Sequence, residues 1–80
     1  MARVLLFGSL CDVAGWRERQ IEAASLGELK ALLAREDRAL GEALSGKGVQ
    51  VAVEQVVIRT PDLALEPHAE VAFLPPMSGG

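Results

Sequence analysis

Basic clusters, aromatic residues and cysteine are all scarce in this sequence of 80 residues. The formal net charge is −3, there is no Tyr and one Trp, and no run of basic residues occurs. Binding to nucleic acid needs a basic face, and binding to single strands also needs aromatic rings for stacking, so we exclude this class of partner. One cysteine and one histidine without clustered carboxylates exclude an internal disulfide and leave no metal site.

Long apolar runs are absent as well. The run at residues 4–7 is far shorter than the roughly 20 residues of a membrane helix. It faintly resembles a bacterial lipoprotein signal because Cys11 follows, but only Arg3 precedes it and Leu10 stands where a small residue is expected. We interpret the run as a buried strand, and we expect a cytoplasmic protein with no membrane contact and a reduced Cys11.

The length of the chain limits what it can do. We expect one domain over residues 1–80, and a domain of this size buries only about 60% of its unfolded surface. Little volume is left for a deep active site. Size therefore favours a carrier or a binding module over an enzyme with an internal pocket.

The best-marked helix begins after Ser25. Ser25 and Glu28 form the capping-box pattern S-x-x-E at its start. Leu26, Leu29 and Leu33 then recur at helical spacing and supply an apolar stripe. The pattern predicts an amphipathic helix that packs on a sheet.

Two shorter helical segments are predicted. The first begins at Ser9, with Asp12 as its capping partner and Gly15 as its stop. The second covers residues 39–44 and is broken by the glycines within residues 46–48. Leu40, Ala43 and Leu44 supply the apolar positions of the second segment.

Strand patterns occupy both ends of the sequence. Residues 3–7 and 70–74 are nearly all apolar and predict central strands, the first covered on both faces. Residues 16–22 are charged and predict an exposed or edge strand. Residues 49–53 alternate, and residues 56–58 follow after a predicted turn. The order predicts an α+β fold with helices on one face of a mixed sheet. If the first and last strands are adjacent, they run parallel, which is the β-grasp (ubiquitin-like) arrangement.

The sequence closes on Gly79 and Gly80. Pro75 and Pro76 precede them, end the last strand and favour an extended spacer, so we expect a flexible C-terminal tail over residues 75–80. Glycines without side chains suit a terminal carboxylate that must enter a narrow slot. The alternative is an ordinary frayed terminus.

The sequence resembles the small, sulfur-carrier subunit of molybdopterin synthase (the MoaD type) over essentially its whole length. The resemblance rests on VLLFGSL at residues 4–10, VAVEQ at residues 51–55 and, above all, EVAFLPPMSGG at residues 70–80. Cys11 and Glu54 depart from the family pattern, which commonly has a basic residue and an asparagine there. A polar contact to a partner and the geometry of a turn depend on those positions.

The resemblance implies a function in molybdenum cofactor biosynthesis. An E1-like, ATP-dependent adenylyltransferase adenylates the carboxylate of Gly80, and a persulfide sulfur donor converts the glycyl adenylate into a thiocarboxylate (1-thioglycine). The tail then enters the large catalytic subunit, where the sulfur passes to cyclic pyranopterin monophosphate to build the molybdopterin dithiolene. The implied assembly is a heterotetramer, and the chain is a sulfur-donating subunit with no bound cofactor and no catalytic side chain of its own. The tail residues implied to insert are Pro75, Pro76, Met77, Ser78 and Gly79.

The resemblance also implies an apolar patch that contacts both partners in turn. The matching positions are Phe7, Val57 and Leu74. Packing in the core is the alternative for each of them, because strand alternation alone does not tell which face is covered.

Three other functions stay open. A thiamine-type sulfur carrier is one, although that family usually lacks much of the helical segment found here at residues 35–45. The second is a protein modifier joined to lysines through Gly80, and the third is a passive β-grasp binding domain with an inert tail. Cys11 is either a sulfur acceptor or, more commonly for a lone cysteine, a small buried apolar residue.

Overall fold

The structure is a computed structural model that describes residues 1–76. Within them the chain forms five strands and three helices. In chain order they are β1 (Ala2–Leu6), α1 (Ser9–Ala14), β2 (Glu18–Ile21), α2 (Leu26–Glu36), α3 (Arg38–Leu44), β3 (Gln50–Val53), β4 (Val56–Ile58) and β5 (Glu70–Leu74).

The strands form one mixed sheet in the order β2-β1-β5-β3-β4. β1 and β5 are neighbours and run parallel, while the other adjacent pairs are antiparallel. A parallel pair needs a crossover connection, and the helices between β2 and β3 provide it. The predicted parallel pairing of the first and last strands is therefore confirmed, and so is the predicted edge position of the charged second strand.

One face of the sheet carries the core. Directly paired residues lie on the same side of a sheet, so the pairs Val4–Val71 and Leu6–Phe73 place four buried side chains on this face, and Val51 joins them opposite Phe73. Each buried side chain of this size contributes about 1.5–3 kcal/mol relative to an exposed one. The helices cover this face with buried leucines, which are Leu10, Leu26, Leu29, Leu33, Leu40 and Leu44.

The start of α2 is held by three side chains. The Ser25 hydroxyl accepts a hydrogen bond from the Glu28 N–H at 3.2 Å, and the Glu28 carboxylate accepts one from the Ala24 N–H at 3.4 Å. This confirms the predicted cap. Asp62, from the loop after β4, accepts a hydrogen bond from the Gly27 N–H at 2.9 Å. The loop therefore completes a helix terminus that is distant in sequence.

The predicted cap of α1 is wrong. Gly8 occupies the N-cap position and no side chain caps the helix, so Ser9 and Asp12 do not have that role. A serine side chain caps the first turn of its own helix from the N-cap position, and Ser9 is already the first helical residue. Gly15 ends the helix in the left-handed conformation, as predicted, and its N–H donates to the Cys11 carbonyl at 2.9 Å.

β1 is covered on one face only, which corrects the prediction that both of its faces are buried. Leu5 is half-buried and Phe7 is 46% exposed. The reason is that the buried helical residues pack on the side of Val4 and Leu6, and no described element crosses the other side of the sheet. We call this uncovered side the open face.

Candidate partner-binding face

Rows of paired residues cross the open face. The middle row joins four strands through the pairs Leu5–Ala72, Ala72–Ala52 and Ala52–Val57. The next row, nearer the end of β5, contains Leu74, paired with Gln50. Phe7 continues β1 beside Leu74, and its N–H donates to the Phe73 carbonyl at 3.2 Å. We define the apolar patch as Leu5, Phe7, Ala52, Val57, Ala72 and Leu74.

Two alanines lie at the centre of the apolar patch, between larger side chains. Ala52 and Ala72 are each 7% exposed, and on this face they lie between Leu5 and Val57, which are larger. Val57 is 50% exposed on the edge strand. The neighbouring side chains cover both alanines, so Phe7 and Val57 present most of the apolar surface that a partner could reach.

Phe7, Val57 and Leu74, which the sequence singled out, therefore lie on one face. Phe7 and Val57 are exposed and Leu74 is half-buried. Neighbouring strands lie about 4.8 Å apart, so the patch spans roughly 15 Å from β1 to β4. Sequence reasoning missed Leu5, Ala52 and Ala72, because no local signal shows that these residues are paired across the sheet.

The other end of the open face is charged. The Arg3 guanidinium lies 2.8 Å from the Glu18 carboxylate and 3.6 Å from the Glu70 carboxylate, so it links β2, β1 and β5. The hydrogen bond with Glu18 is the main reason that the pKa of Arg3 is raised. These paired charges give the apolar patch a polar boundary on the side away from the end of β5.

Glu54 and Gln55 form the tight turn between β3 and β4 with positive φ angles of 52° and 68°. The Glu54 carboxylate accepts a hydrogen bond from the Glu70 N–H at 2.6 Å, and the Glu54 N–H donates to the Glu70 carbonyl at 2.9 Å. Glu54 thus holds the start of β5. The turn forms without the asparagine common in the resembling family, and a contact with a residue 16 positions away explains the glutamate.

β5 leads from the apolar patch into the tail. Its ladder with β3 ends at Leu74, because Pro75 and Pro76 have no N–H to donate. Pro75 is half-buried and Pro76 is exposed. The other predicted tail residues, Met77, Ser78, Gly79 and Gly80, lie outside the described residues.

The rest of the described surface offers few reactive groups. Among residues 1–76, no three His, Cys, Asp or Glu side chains are grouped as metal ligands, and no charged or polar side chain is buried. Cys11 is half-buried and packs against the core. No helix in the described part of the chain is long and apolar enough to cross a membrane. The apolar patch and the strand that leaves it are the surface features that call for a functional explanation.

The chain has a clear match among protein families. The model of the ThiS family matches residues 4–80, which include the second half of β1, all later strands and helices, and the predicted tail. A search of curated proteins finds no match. The family assignment therefore rests on the family model and on solved structures.

Solved structures share the fold over nearly the whole chain. SAMP1 from Haloferax volcanii is 25% identical with a TM-score of 0.84, and the match covers 99% of this chain and 98% of that one. Small archaeal modifier protein 1 (SAMP1) from Methanosarcina acetivorans is 22% identical with a TM-score of 0.86, covering 99% and 95%. A chain in the complex of subunits 1 and 2 of the molybdopterin-converting factor from Helicobacter pylori 26695 is 26% identical with a TM-score of 0.74, covering 99% and 97%. These matches confirm the predicted β-grasp, ubiquitin-like fold shared by sulfur carriers and modifiers.

Proposed function

Because this chain belongs to the ThiS family, we propose that it is the sulfur-carrier subunit of a molybdopterin synthase. The observation that carries the proposal is the continuity of β5: the strand crosses the apolar patch and runs directly into the sequence LPPMSGG. A partner that docks on the patch is thereby placed next to the tail. The match to a chain in a two-subunit molybdopterin-converting factor supports this choice.

The chemistry takes place at the carboxylate of Gly80. A carboxylate is a poor acyl donor because its leaving group would be oxide. In the proposed cycle, a carboxylate oxygen attacks the α-phosphate of ATP, pyrophosphate leaves, and the resulting glycyl adenylate has AMP as a good leaving group. A persulfide sulfur then attacks the carbonyl and AMP departs. A thiol cleaves the resulting acyl disulfide, is oxidised to the mixed disulfide, and leaves the thiocarboxylate.

The thiocarboxylate is a soft sulfur nucleophile, and the folded domain that carries it is the part that the partners bind. The large subunit would hold cyclic pyranopterin monophosphate, and two carriers would each supply one sulfur atom to the dithiolene. Glycine suits the reacting end because a Cβ would crowd attack at the carbonyl. The catalytic side chains belong to the partners in this proposal, and the described residues of this chain dock and position.

Docking on the open face has a physical basis. Phe7 and Val57 each keep about half of their surface in water, and covering such a side chain contributes on the order of 1 kcal/mol. The activating enzyme and the large subunit would use the same face in succession, so one carrier cannot be bound to both.

Protein modification is the second candidate function. The two archaeal modifier structures have TM-scores of 0.84 and 0.86, above the 0.74 of the molybdopterin-converting factor chain. A modifier would use the same adenylate of Gly80 but pass the acyl group to a lysine amine. The fold is common to both functions, so the difference must be found in the product formed at Gly80.

The product at Gly80 decides between these functions. We would incubate the chain, as the Cys11→Ser variant, with the activating enzyme, ATP and a sulfur source, then alkylate it and analyse the C-terminal peptide by tandem mass spectrometry. Intact mass is insufficient, since exchange of oxygen for sulfur adds nearly the same mass as oxidation of Met77. We expect an alkylated Gly80 that disappears when ATP is omitted or Gly80 is deleted.

The second step of the assay adds the large subunit and cyclic pyranopterin monophosphate. Formation of the dithiolene supports the molybdopterin role, and an alkylated Gly80 that is not consumed points to a carrier of another pathway. A peptide joined through Gly80 to a lysine identifies a modifier. A Gly80 left unmodified by an enzyme proven active on another carrier contradicts the proposal and favours a passive binding domain.

A further inference from the structure

Two glycines contact the two prolines that follow β5. Gly8, after β1, has φ 57° and ψ −133°, and Gly48, before β3, has φ 84°. A Cβ on Gly8 would lie 2.9 Å from Cγ of Pro75, and a Cβ on Gly48 would lie 2.8 Å from Cβ of Pro76. Neither glycine can therefore be replaced by a residue with a side chain unless a proline moves.

The sheet topology places these contacts on opposite sides of β5. β1 runs parallel to β5, so the end of β1 and Gly8 lie beside the end of β5. β3 runs antiparallel on the other side, with Gln50 opposite Leu74, so the residues before Gln50 also lie beside the end of β5. The two glycines thus flank the place where the chain leaves the sheet.

Steric contact can fix the direction of the backbone at these two prolines. A proline cannot donate a backbone hydrogen bond, so the sheet ladder cannot extend into Pro75 and Pro76. Their φ angles are restricted by their own rings, and the remaining freedom is limited by whatever packs against them. Close approach of a proline ring to a backbone without a Cβ provides that packing.

We propose that Gly8 and Gly48 are positioning residues, which set the direction in which the tail leaves the sheet and so present Gly80 to the partner's active site. This rests on the proposed function. Four residues follow Pro76 and can span at most about 14 Å, so a tilt of roughly 30° at Pro76 displaces the far end by up to about 7 Å. A displacement of that size removes the reacting carbonyl from an active site that holds it to within about an ångström.

Gly15 supplies a matched control for Gly48. Its φ is 81°, close to the 84° of Gly48, but a Cβ on Gly15 would have nothing within 4 Å. Alanine therefore introduces left-handed backbone strain at both sites and a contact with proline at only one. We would measure the steady-state rate of thiocarboxylate formation on Gly80 for both variants, after urea denaturation shows that each is folded at the assay temperature.

We expect Gly48→Ala to lower kcat about tenfold with little change in KM, because docking on the open face is retained. Gly15→Ala should keep both parameters within twofold of the unchanged chain. Pro76→Gly removes the Cβ that the new methyl group would meet, at the cost of a looser tail. In that background Gly48→Ala should have no further effect on kcat, which a double-mutant cycle measures.

Equal kcat values for Gly48→Ala and Gly15→Ala overturn the inference. If Gly48→Ala does not fold, Pro76→Gly takes its place as the test, and an undiminished kcat of that variant overturns the inference. A structural readout separates this failure from that of the proposed function. We would attach a nitroxide to Ser78→Cys in the Cys11→Ser background. The paramagnetic relaxation enhancement of the backbone amides then shows which part of the domain the tail lies near. Gly48→Ala should alter that pattern and Gly15→Ala should not.

An unaltered pattern overturns the steric inference whatever the enzyme assay shows. A chain that the competent enzyme leaves unmodified overturns the proposed function, and with it the positioning role of both glycines.

Discussion

Replacing Val57 by aspartate tests whether the open face binds the partners. Val57 and Val56 are adjacent residues of the edge strand β4, but the pairs Ala52–Val57 and Val53–Val56 place their side chains on opposite faces of the sheet. Val57 lies on the open face and is 50% exposed, while Val56 is 63% exposed. Val56→Asp is therefore a control with the same chemistry, on the same strand, at similar exposure.

The loss of binding free energy for Val57→Asp is estimated from the surface of residue 57 that a partner would cover. Complete burial of a valine is favourable by about 1.5–3 kcal/mol, so covering the exposed half of Val57 in a complex contributes about 1 kcal/mol. An aspartate at that place loses this term and adds about 1–3 kcal/mol for a desolvated polar group without a partner. The sum of about 2–4 kcal/mol weakens binding roughly 30- to 700-fold. Both variants should lose a similar, small part of their unfolding free energy, because both exchange a β-branched residue for aspartate on an exposed strand.

Isothermal titration calorimetry against the large subunit and against the activating enzyme measures the effect. We expect Val57→Asp to weaken binding to both partners, and Val56→Asp to bind within about threefold of the unchanged chain. Urea denaturation of each variant shows whether folding accounts for a loss. If folded Val57→Asp binds as tightly as Val56→Asp, the open face is not the docking surface and the role assigned to the apolar patch is wrong.

Three further predictions concern the body of the domain. Gln55→Gly should raise the unfolding free energy by up to about 1 kcal/mol in urea denaturation, because Gln55 has φ 68°; an unchanged midpoint would count against strain in this turn. Gly41→Ala should cost about 1–3 kcal/mol by the same measurement although alanine favours helices, since the new Cβ would lie 2.6 Å from Cβ and 2.7 Å from Cα of Ala34; adding Ala34→Gly should recover only part of the loss, because the backbone Cα remains. A hydrogen bond from Arg19, together with its charge, holds the pKa of Glu36 below its ordinary 4.5, so this contact stabilises the fold above pH 4.5 and is lost as the pH falls through the lower folded-state pKa. Arg19→Gln should raise that pKa in a carboxylate NMR titration, and an unmoved pKa would disprove the contact in solution.

Local patterns predicted most elements of the fold. The cap at Ser25 and Glu28 was predictable because its partners lie three residues apart, and the stop at Gly15 follows from the backbone freedom of glycine. The cap of α1 was mispredicted because the pattern does not tell whether Ser9 is the N-cap or the first helical residue. A shift of one position decides it, and helix boundaries are uncertain by that amount.

Half of the apolar patch was predictable in its residues, and none of it in its geometry. Phe7, Val57 and Leu74 were found through a family resemblance, yet their shared exposure depends on strand register. After Arg3 the residues on both faces of the first strand are apolar, so alternation over residues 4–7 does not show which face the helices cover. Ala52 and Ala72 carry no functional signal of their own. They lie at the centre of the apolar patch only because the pairing of β3 with β5 brings them together.

The sequence by itself determined the strand and helix periods, the end of the last strand at two prolines, and a resemblance whose family assignment the comparison confirmed. These follow from side-chain chemistry and from spacings of a few residues. Tertiary structure alone decided that one face is open, that Glu54 holds β5, and that Gly8 and Gly48 contact the prolines. Each of these is a contact between segments far apart in the chain, and such contacts exist only once the register of the sheet has brought the segments together.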